Sequence, residues 1–207
     1  MKAEVDGPTR GRHFPGMRLP EAFYARPALT VARDLLGTHL VVEEDGCRRV
    51  GRIVETEAYI GQEDLACHAA KGLTSRTEVM FGPPGRAYLY LIYGMHYCFN
   101  VVTDTEGVGA AVLIRAVEPL EGLPEGVRTD GPGRLCKALG LTLAHNRLEL
   151  QSSRLYLTEG TPVAEEHVAR GPRIGVEYAG AWAREPFRLW VRDSEHVSRP
   201  ASRKPRK

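Results

Sequence analysis

Two carboxylates stand one residue apart in Ile53-Val54-Glu55-Thr56-Glu57-Ala58-Tyr59, and flat rings follow them: Tyr59 itself, His68, and the run Tyr88-Leu89-Tyr90-Leu91-Ile92-Tyr93. In a strand the side chains alternate, so Glu55, Glu57 and Tyr59 share one face while Val54, Thr56 and Ala58 share the other. Burying two carboxylates on one face is costly unless each has a partner or a task. Two readings stay open. Both pair with arginines such as Arg52 or Arg115, or one acts as acid or base while the other supports it. A carboxylate pair that hydrolyses a glycosidic bond flanks the substrate from opposite sides, whereas neighbours on one strand point the same way. One of the two is therefore the actor, and spacing does not select which. The rings add a stacking surface, so the chemistry suggested is acid/base work on something planar.

Tyr88, Tyr90 and Ile92 fall on one strand face, an arrangement common in cores and on sheet surfaces. Tyr93 is different: it stands before Gly94-Met95 on a tight turn, where a large ring is hard to bury in its own domain. Such a ring suits a wedge pushed into a base stack. His68 taken alone reads as a structural histidine.

These residues need elements to hold them. Pro27, then Ala28, Leu29, Val31, Ala32, Leu35 and Leu36, gives a helical stripe that opens on Pro and stops at Gly37. Thr38 to Glu44, the Asp45-Gly46 turn and Arg49 to Tyr59 read as a hairpin. Further strands are predicted at 87–93, 97–103, 110–117, 155–158, 173–176 and 187–192, and a short helix at 133–139 behind Gly131-Pro132-Gly133. Strands outnumber helices and short turns join many of them. The fold class expected is α+β: a single domain around a curved, mostly antiparallel β-sheet with flanking helices. Domain bounds follow as a disordered N-terminal arm over 1–17, the folded unit over 18–198 and a basic tail over 199–207.

At 207 residues and 43% hydrophobic content the chain suits one core. The net charge of +2 conceals an asymmetry: residues 170–207 carry ten Lys/Arg against four Asp/Glu, leaving the first 169 residues at −4. A basic end suits a polyanion or a merely solvated tail. Cys47, Cys67, Cys98 and Cys136 lack metal-ligand or disulfide-framework spacing, so they are expected to be reduced and buried, with no metal and no cofactor. No apolar run is long enough to span a bilayer, and the first twenty residues are not signal-like, so a cytoplasmic protein with no membrane association is expected.

The blocks Glu55-Thr56-Glu57-Ala58-Tyr59, Glu63-Asp64, Ala66-Cys67-His68, Val79-Met80-Phe81-Gly82-Pro83-Pro84-Gly85 and Tyr88-Leu89-Tyr90-Leu91-Ile92-Tyr93-Gly94-Met95 come first. Asn100-Val101-Val102, Leu113-Ile114-Arg115-Ala116-Val117-Glu118-Pro119, Gly131-Pro132-Gly133-Arg134-Leu135 and Pro172-Arg173-Ile174-Gly175-Val176 follow. Together, in this order, they resemble the alkylpurine (3-methyladenine) DNA glycosylase family from about Leu19 to Ser198. The resemblance implies a monofunctional glycosylase of base excision repair that flips damaged purines out of duplex DNA, among them 3-methyladenine, 7-methylguanine, hypoxanthine and ethenoadenine. It implies that Glu57 is the general base for an attacking water, steadied by Arg115. Tyr59 and His68 on one side and Tyr90 on the other would sandwich the flipped base, Asn100 would gate against guanine, and Tyr93 would fill the vacated place in the duplex. Met95, Gly133, Arg134 and Lys137 would meet the DNA backbone. His68, through its ring or amide, is the candidate to assist a neutral leaving base. No lysine in these blocks stands where a Schiff base would form. The partner implied is double-stranded DNA carrying damaged purines, bound by a monomer in the cytoplasm, at the nucleoid in a bacterium.

The chain departs from the family pattern at Thr77, where Asn is usual, in the loop from Asp104 to Gly109, and in both tails. A non-catalytic damage-binding module would keep Tyr93 and the rings without needing both Glu57 and Arg115. A hydrolase of free nucleosides would need neither the wedge nor the basic end.

Overall fold

The computed structural model describes residues 16–198. Most of the expected N-terminal arm and all of the basic tail over 199–207 lie outside the described residues. At the start of the described chain Met17 already contributes, its carbonyl accepting from the Glu159 amide at 2.9 Å.

A hairpin seeds the sheet. β1 (His39–Glu44) and β2 (Cys47–Tyr59) are joined by Asp45-Gly46, both with positive φ (52° and 74°). That is the geometry the two-residue turn requires, and Asp-Gly supplies it at low cost. β3 (Ala87–Ile92), β4 (His96–Thr103), β5 (Ala110–Glu121), β6 (Leu155–Thr158), β7 (Val168–Gly171) and β8 (Arg188–Val191) complete one antiparallel sheet. Its order is β3-β4-β5-β2-β1-β6, with β8 joining β2 to β7. The sheet is open and curled, as the α+β expectation required.

β2 organises it. One edge pairs with β5 over nearly its whole length; the other pairs with β1 from Cys47 to Arg52 and then with β8 from Glu55 to Glu57. Where partners change, the β2–β5 register is irregular between Ile53 and Thr56, and neither Val54 nor Arg115 takes a register partner there. Such irregularities re-aim side chains. The two carboxylates and the arginine therefore meet at or beside a distortion of the ladder.

Alternation divides β3, β4 and β5 between two environments. Leu89, Phe99, Val101, Val112 and Ile114 enter the main core. Tyr88, Tyr90, Cys98, Asn100, Ala111 and Leu113 face the other way, into a cleft. Three short helices lie around the sheet: α1 (Glu21–Tyr24), α2 (Ala28–Asp34) and α3 (Pro132–Leu139). α2 buries Ala28, Val31 and Ala32, and its Ala32 carbonyl accepts from the Thr56 hydroxyl at 2.9 Å. That bond occupies the core face of β2 and so turns Glu55 and Glu57 outward from the core. α3 buries Leu135, Cys136 and Leu139 and ends at left-handed Gly140, a common helix stop.

Two expectations need correction. Residues 173–176, read as a strand, are irregular; the strand lies earlier, at β7. The apolar alternation there misled because Arg173 is buried to form ion pairs and Gly175 adopts a φ of 80°. Among the cysteines, Cys67, Cys98 and Cys136 are buried and free, but Cys47 is exposed at the start of β2. Among the described residues no helix is long and apolar enough to cross a membrane.

Phe99 is fully buried at the centre of the main core. Phe99→Ala is expected to cost about 3–5 kcal/mol of stability, measured by urea unfolding of both proteins.

Candidate active site

Glu55 and Glu57 are both fully buried, and both reach Arg115. Their surroundings differ. Glu55 Oε1 accepts from Arg188 Nε at 2.7 Å, from the Ser198 hydroxyl at 2.8 Å and from Arg115 Nε at 3.1 Å, while its Oε2 accepts from the Ser198 amide at 2.6 Å. Two guanidiniums and a serine consume it. Glu57 has one cation: Arg115 Nη1 lies 3.2 Å from Oε1, which also accepts from the Ile174 amide at 2.8 Å. Among the described residues its Oε2 accepts only from the Tyr59 hydroxyl, at 2.9 Å. Glu57 keeps spare acceptor capacity beside the cleft, whereas Glu55 is saturated by its donors. Strand spacing left the pair equivalent, and partner count separates them. The arginine partners named from sequence divide as well, since Arg52 pairs with Glu118 at 3.3 Å.

Arg115 is 7% exposed. Burial opposes its charge, yet Glu57 and Glu55 outweigh that and hold its pKa above the ordinary arginine value. Tyr59 is a phenol pushed well above its usual range by burial and then by the charge on Glu57, so it remains a donor.

Above this floor opens a cleft of about 300 Å³, at the small end of the roughly 300–1,000 Å³ typical of ligand sites. Tyr59, His68, Tyr88, Tyr90, Asn100 and Arg115 all line it. His68 starts a 3₁₀ turn (His68–Lys71) and its Nδ1 lies 2.8 Å from the Tyr88 hydroxyl. Burial first, then Arg76 and Lys71, lowers its pKa to about 4, so the ring is neutral at pH 7. His68 and Tyr90 meet edge to face with centroids 4.6 Å apart, which leaves no room for a ring between them. A planar ligand must part these two or lie against their joint surface. Tyr90 is held protonated by burial first and then by its neighbour Cys98. The Asn100 side-chain amide donates to the Tyr88 carbonyl at 3.0 Å, which fixes it in the wall.

The mouth carries the exposed residues. Tyr93 is 86% exposed and sits on the β3–β4 hairpin tip with a φ of 51°, and Met95 beside it is 70% exposed. A positive φ at a tyrosine is a strained position. The α3 N-terminus approaches the same hairpin, because a Cβ on Gly133 would lie 3.0 Å from that of His96. Only glycine fits there without a shift. Arg134 and Lys137 are exposed along α3, Arg134 pairing with Asp130 at 3.1 Å.

Several residues here escaped sequence reasoning. Asp64 and Arg173 form a fully buried bidentate pair at 2.5 and 2.8 Å, and Arg173 also donates to the Ala58 carbonyl at 2.9 Å. Arg188 and Ser198 saturate Glu55; their only signal was a basic end that suggested solvent or a polyanion. Tyr178 lines the cleft, is 71% exposed and donates to the Ala66 carbonyl at 3.2 Å. Thr77 is buried and ties its own loop together: its hydroxyl donates to the Gly72 carbonyl and accepts from the Thr74 amide, each at 2.8 Å. Arg76, next to it, places its guanidinium 5.0 Å over the Tyr90 ring.

The neutral state of His68 has a consequence for stability. Its folded pKa, about 4, lies below the unfolded value near ~6.5, so between these values the unfolded chain binds a proton that the folded one does not. Its contribution is complete above pH 6.5 and is lost as pH falls through 4. Thermal midpoints from pH 7 to 4.5 are expected to fall less steeply in His68→Gln than in the parent; parallel slopes would exclude this assignment.

Residues 22–195 match the sequence profile of the family described as methylpurine-DNA glycosylase. A protein of Myxococcus xanthus (strain DK1622) is 76% identical over 190 residues, covering 90% of this chain and 98% of that protein. One from Anaeromyxobacter dehalogenans (strain 2CP-C) is 54% identical over 186 residues, covering 89% and 88% respectively. One from Legionella pneumophila (strain Corby) is 50% identical over 182 residues, covering 88% and 98%. All three are provisionally named 3-methyladenine DNA glycosylase. With a buried carboxylate beneath an aromatic cleft and a match over nearly the whole folded unit, the chain belongs to the methylpurine-DNA glycosylase family, DNA-repair hydrolases of N-glycosyl bonds.

Proposed function

We propose that the protein is a monofunctional DNA glycosylase that extrudes a damaged purine from duplex DNA and hydrolyses its N-glycosidic bond with water activated by Glu57. The observation that carries this reading is the unequal partnering of the two carboxylates. Glu57 keeps acceptor capacity at Oε2 beneath the cleft, and Arg115, bonded to both acids, holds it in place. Glu57 is fully buried, so the seated nucleotide must bring its water to the acceptor capacity left on Oε2 beside the Tyr59 hydroxyl, which keeps the carboxylate aimed. Catalytic contacts of this kind commonly form only with substrate bound.

The rest of the cleft supports the assignment. Tyr59 and Tyr90 offer neutral ring faces to the extruded base, with His68 at its edge and Asn100 as the polar gate. Alkylation at N3 or N7 makes a purine cationic, which favours an aromatic wall and improves the leaving group. Hypoxanthine and ethenoadenine lack that charge, and His68 is the group placed to donate to them, through Nε2 in the tautomer whose Nδ1 accepts from the Tyr88 hydroxyl. Tyr93 fills the gap left in the stack, and Met95, the Gly133 amide, Arg134 and Lys137 meet the phosphates around it. The protein acts as a monomer, in the cytoplasm, on the DNA there.

A duplex carrying one hypoxanthine or ethenoadenine, incubated with protein and then cleaved at abasic sites with alkali, tests the reading. The parent is expected to yield strand breaks only after alkali, and Glu57→Gln to lose about 10²-fold or more in rate. The folded fraction of Glu55→Gln should keep most of the rate. Tight binding without base release by the parent would instead indicate a binding module, and breaks without alkali would refute the monofunctional assignment. Substituting His68→Ala should slow excision of neutral lesions more than that of 7-methylguanine; equal losses would remove His68 from leaving-group assistance.

A further inference from the structure

Behind the cleft, the Asp64–Arg173 pair has both side chains fully buried, and neither lines the cleft itself. Its contacts converge on the base all the same. Arg173 Nη1 donates to the carbonyl of Ala58, the residue between Glu57 and Tyr59. Its guanidinium carbon lies 4.7 Å over the Tyr59 ring, and on another side 5.2 Å from the Phe187 ring. Nη2 donates to the Trp182 carbonyl at 3.2 Å, anchoring the fork to the segment before β8. The next residue in the chain, Ile174, gives its amide to Glu57 Oε1. Asp64 closes the unit: besides both arginine bonds its Oδ1 accepts from the Ala66 amide at 3.0 Å, which sets the loop that leads to His68.

Two of the three groups that hold the Glu57 carboxylate, the Tyr59 hydroxyl and the Ile174 amide, are thus placed by a single guanidinium. Burial opposes the charge on Arg173, but the Asp64 bond outweighs it and holds the pKa above the ordinary value. The fork stays charged and rigid. Only a planar, bidentate donor can bond Asp64, the Ala58 carbonyl and the Trp182 carbonyl while presenting a face to Tyr59; an ammonium cannot.

We infer that Arg173, locked by Asp64, is a positioning residue that sets the geometry of the Glu57 carboxylate through Tyr59 and the Ile174 amide. The inference rests on Glu57 as the base, and misplacing such a group by about 1 Å can cost on the order of 10² in rate.

The test is single-turnover excision at saturating protein on the hypoxanthine duplex. Arg173→Lys, which keeps a charge opposite Asp64, is compared with the neutral pair Asp64→Asn/Arg173→Gln, which leaves no uncompensated buried charge if the lysine variant folds poorly. Circular dichroism and thermal midpoints report folding. The expected result for the folded variant is a rate constant lowered at least tenfold, the full amplitude still reached, and the half-saturating protein concentration within threefold of the parent. A purely structural role would instead lower the amplitude and leave the rate constant of the active fraction unchanged. That result, or a rate constant within twofold of the parent, overturns the inference. Glu57→Gln separates the two levels: if it remains active the reading of Glu57 falls, whereas an inactive Glu57→Gln beside a fully active Arg173 variant removes only the positioning role.

Discussion

Arg115 touches two carboxylates that could not otherwise be buried side by side. Glu55 and Glu57 project from one face of β2, and both are removed from water. Without a shared cation their repulsion and desolvation would favour protonation or a different strand register. Breaking a buried pair by removing one partner typically costs about 3–5 kcal/mol, and here one arginine serves two acids. The sheet accommodates it by leaving Arg115 out of register with β2. Arg188 and Ser198 then complete Glu55, so that Arg115 is held on one side and remains available to Glu57 on the other. The difference between the two acids is how many donors each carboxylate meets.

The same constraint accounts for the path of the chain beyond the core. β8 takes over the free edge of β2 where β1 leaves it, and its pairing from Glu55 to Glu57 brings Arg188 beside Glu55. Ser198, shortly after β8, reaches back to both oxygens of Glu55. The C-terminal part of the folded unit is therefore a lining for the carboxylates. The positive charge counted there in the sequence is partly spent on buried acids: Arg173 on Asp64 and Arg188 on Glu55. A reading of those residues as a surface for a polyanion holds only for arginines that stay exposed.

Legibility in the sequence followed periodicity. Alternation in 55–59 and 87–92 was enough to place Glu57 and Tyr59 on one face and Tyr88 and Tyr90 on another, and Asp45-Gly46 announced its turn. Those features depend on neighbours along the chain. What escaped depends on neighbours across it. Arg173 looks like a residue at the start of an apolar strand because nothing nearby reveals Asp64, 109 residues earlier, as its partner. Glu55 and Glu57 are indistinguishable until the donors from β5, β8 and Ser198 are in place. The family resemblance gave no account of how Glu55 and Glu57 should differ, and the unequal set of donors around them does.

Tyr93 and His68 illustrate how the fold divides cost between mouth and cleft. At the mouth a tyrosine is held at positive φ with its ring in water, an arrangement that favours neither backbone nor side chain in the free protein. Inside, His68 is kept neutral by burial and by nearby cations, and its Nδ1 is held 2.8 Å from the Tyr88 hydroxyl. Both arrangements belong to the free fold: the tyrosine ring already stands in water on the hairpin tip, and the imidazole is already fixed against Tyr88. Groups already ordered in the free fold cost less to order on binding than flexible ones do. Bearing that cost in the free fold leaves more of the binding free energy available for whatever the cleft receives.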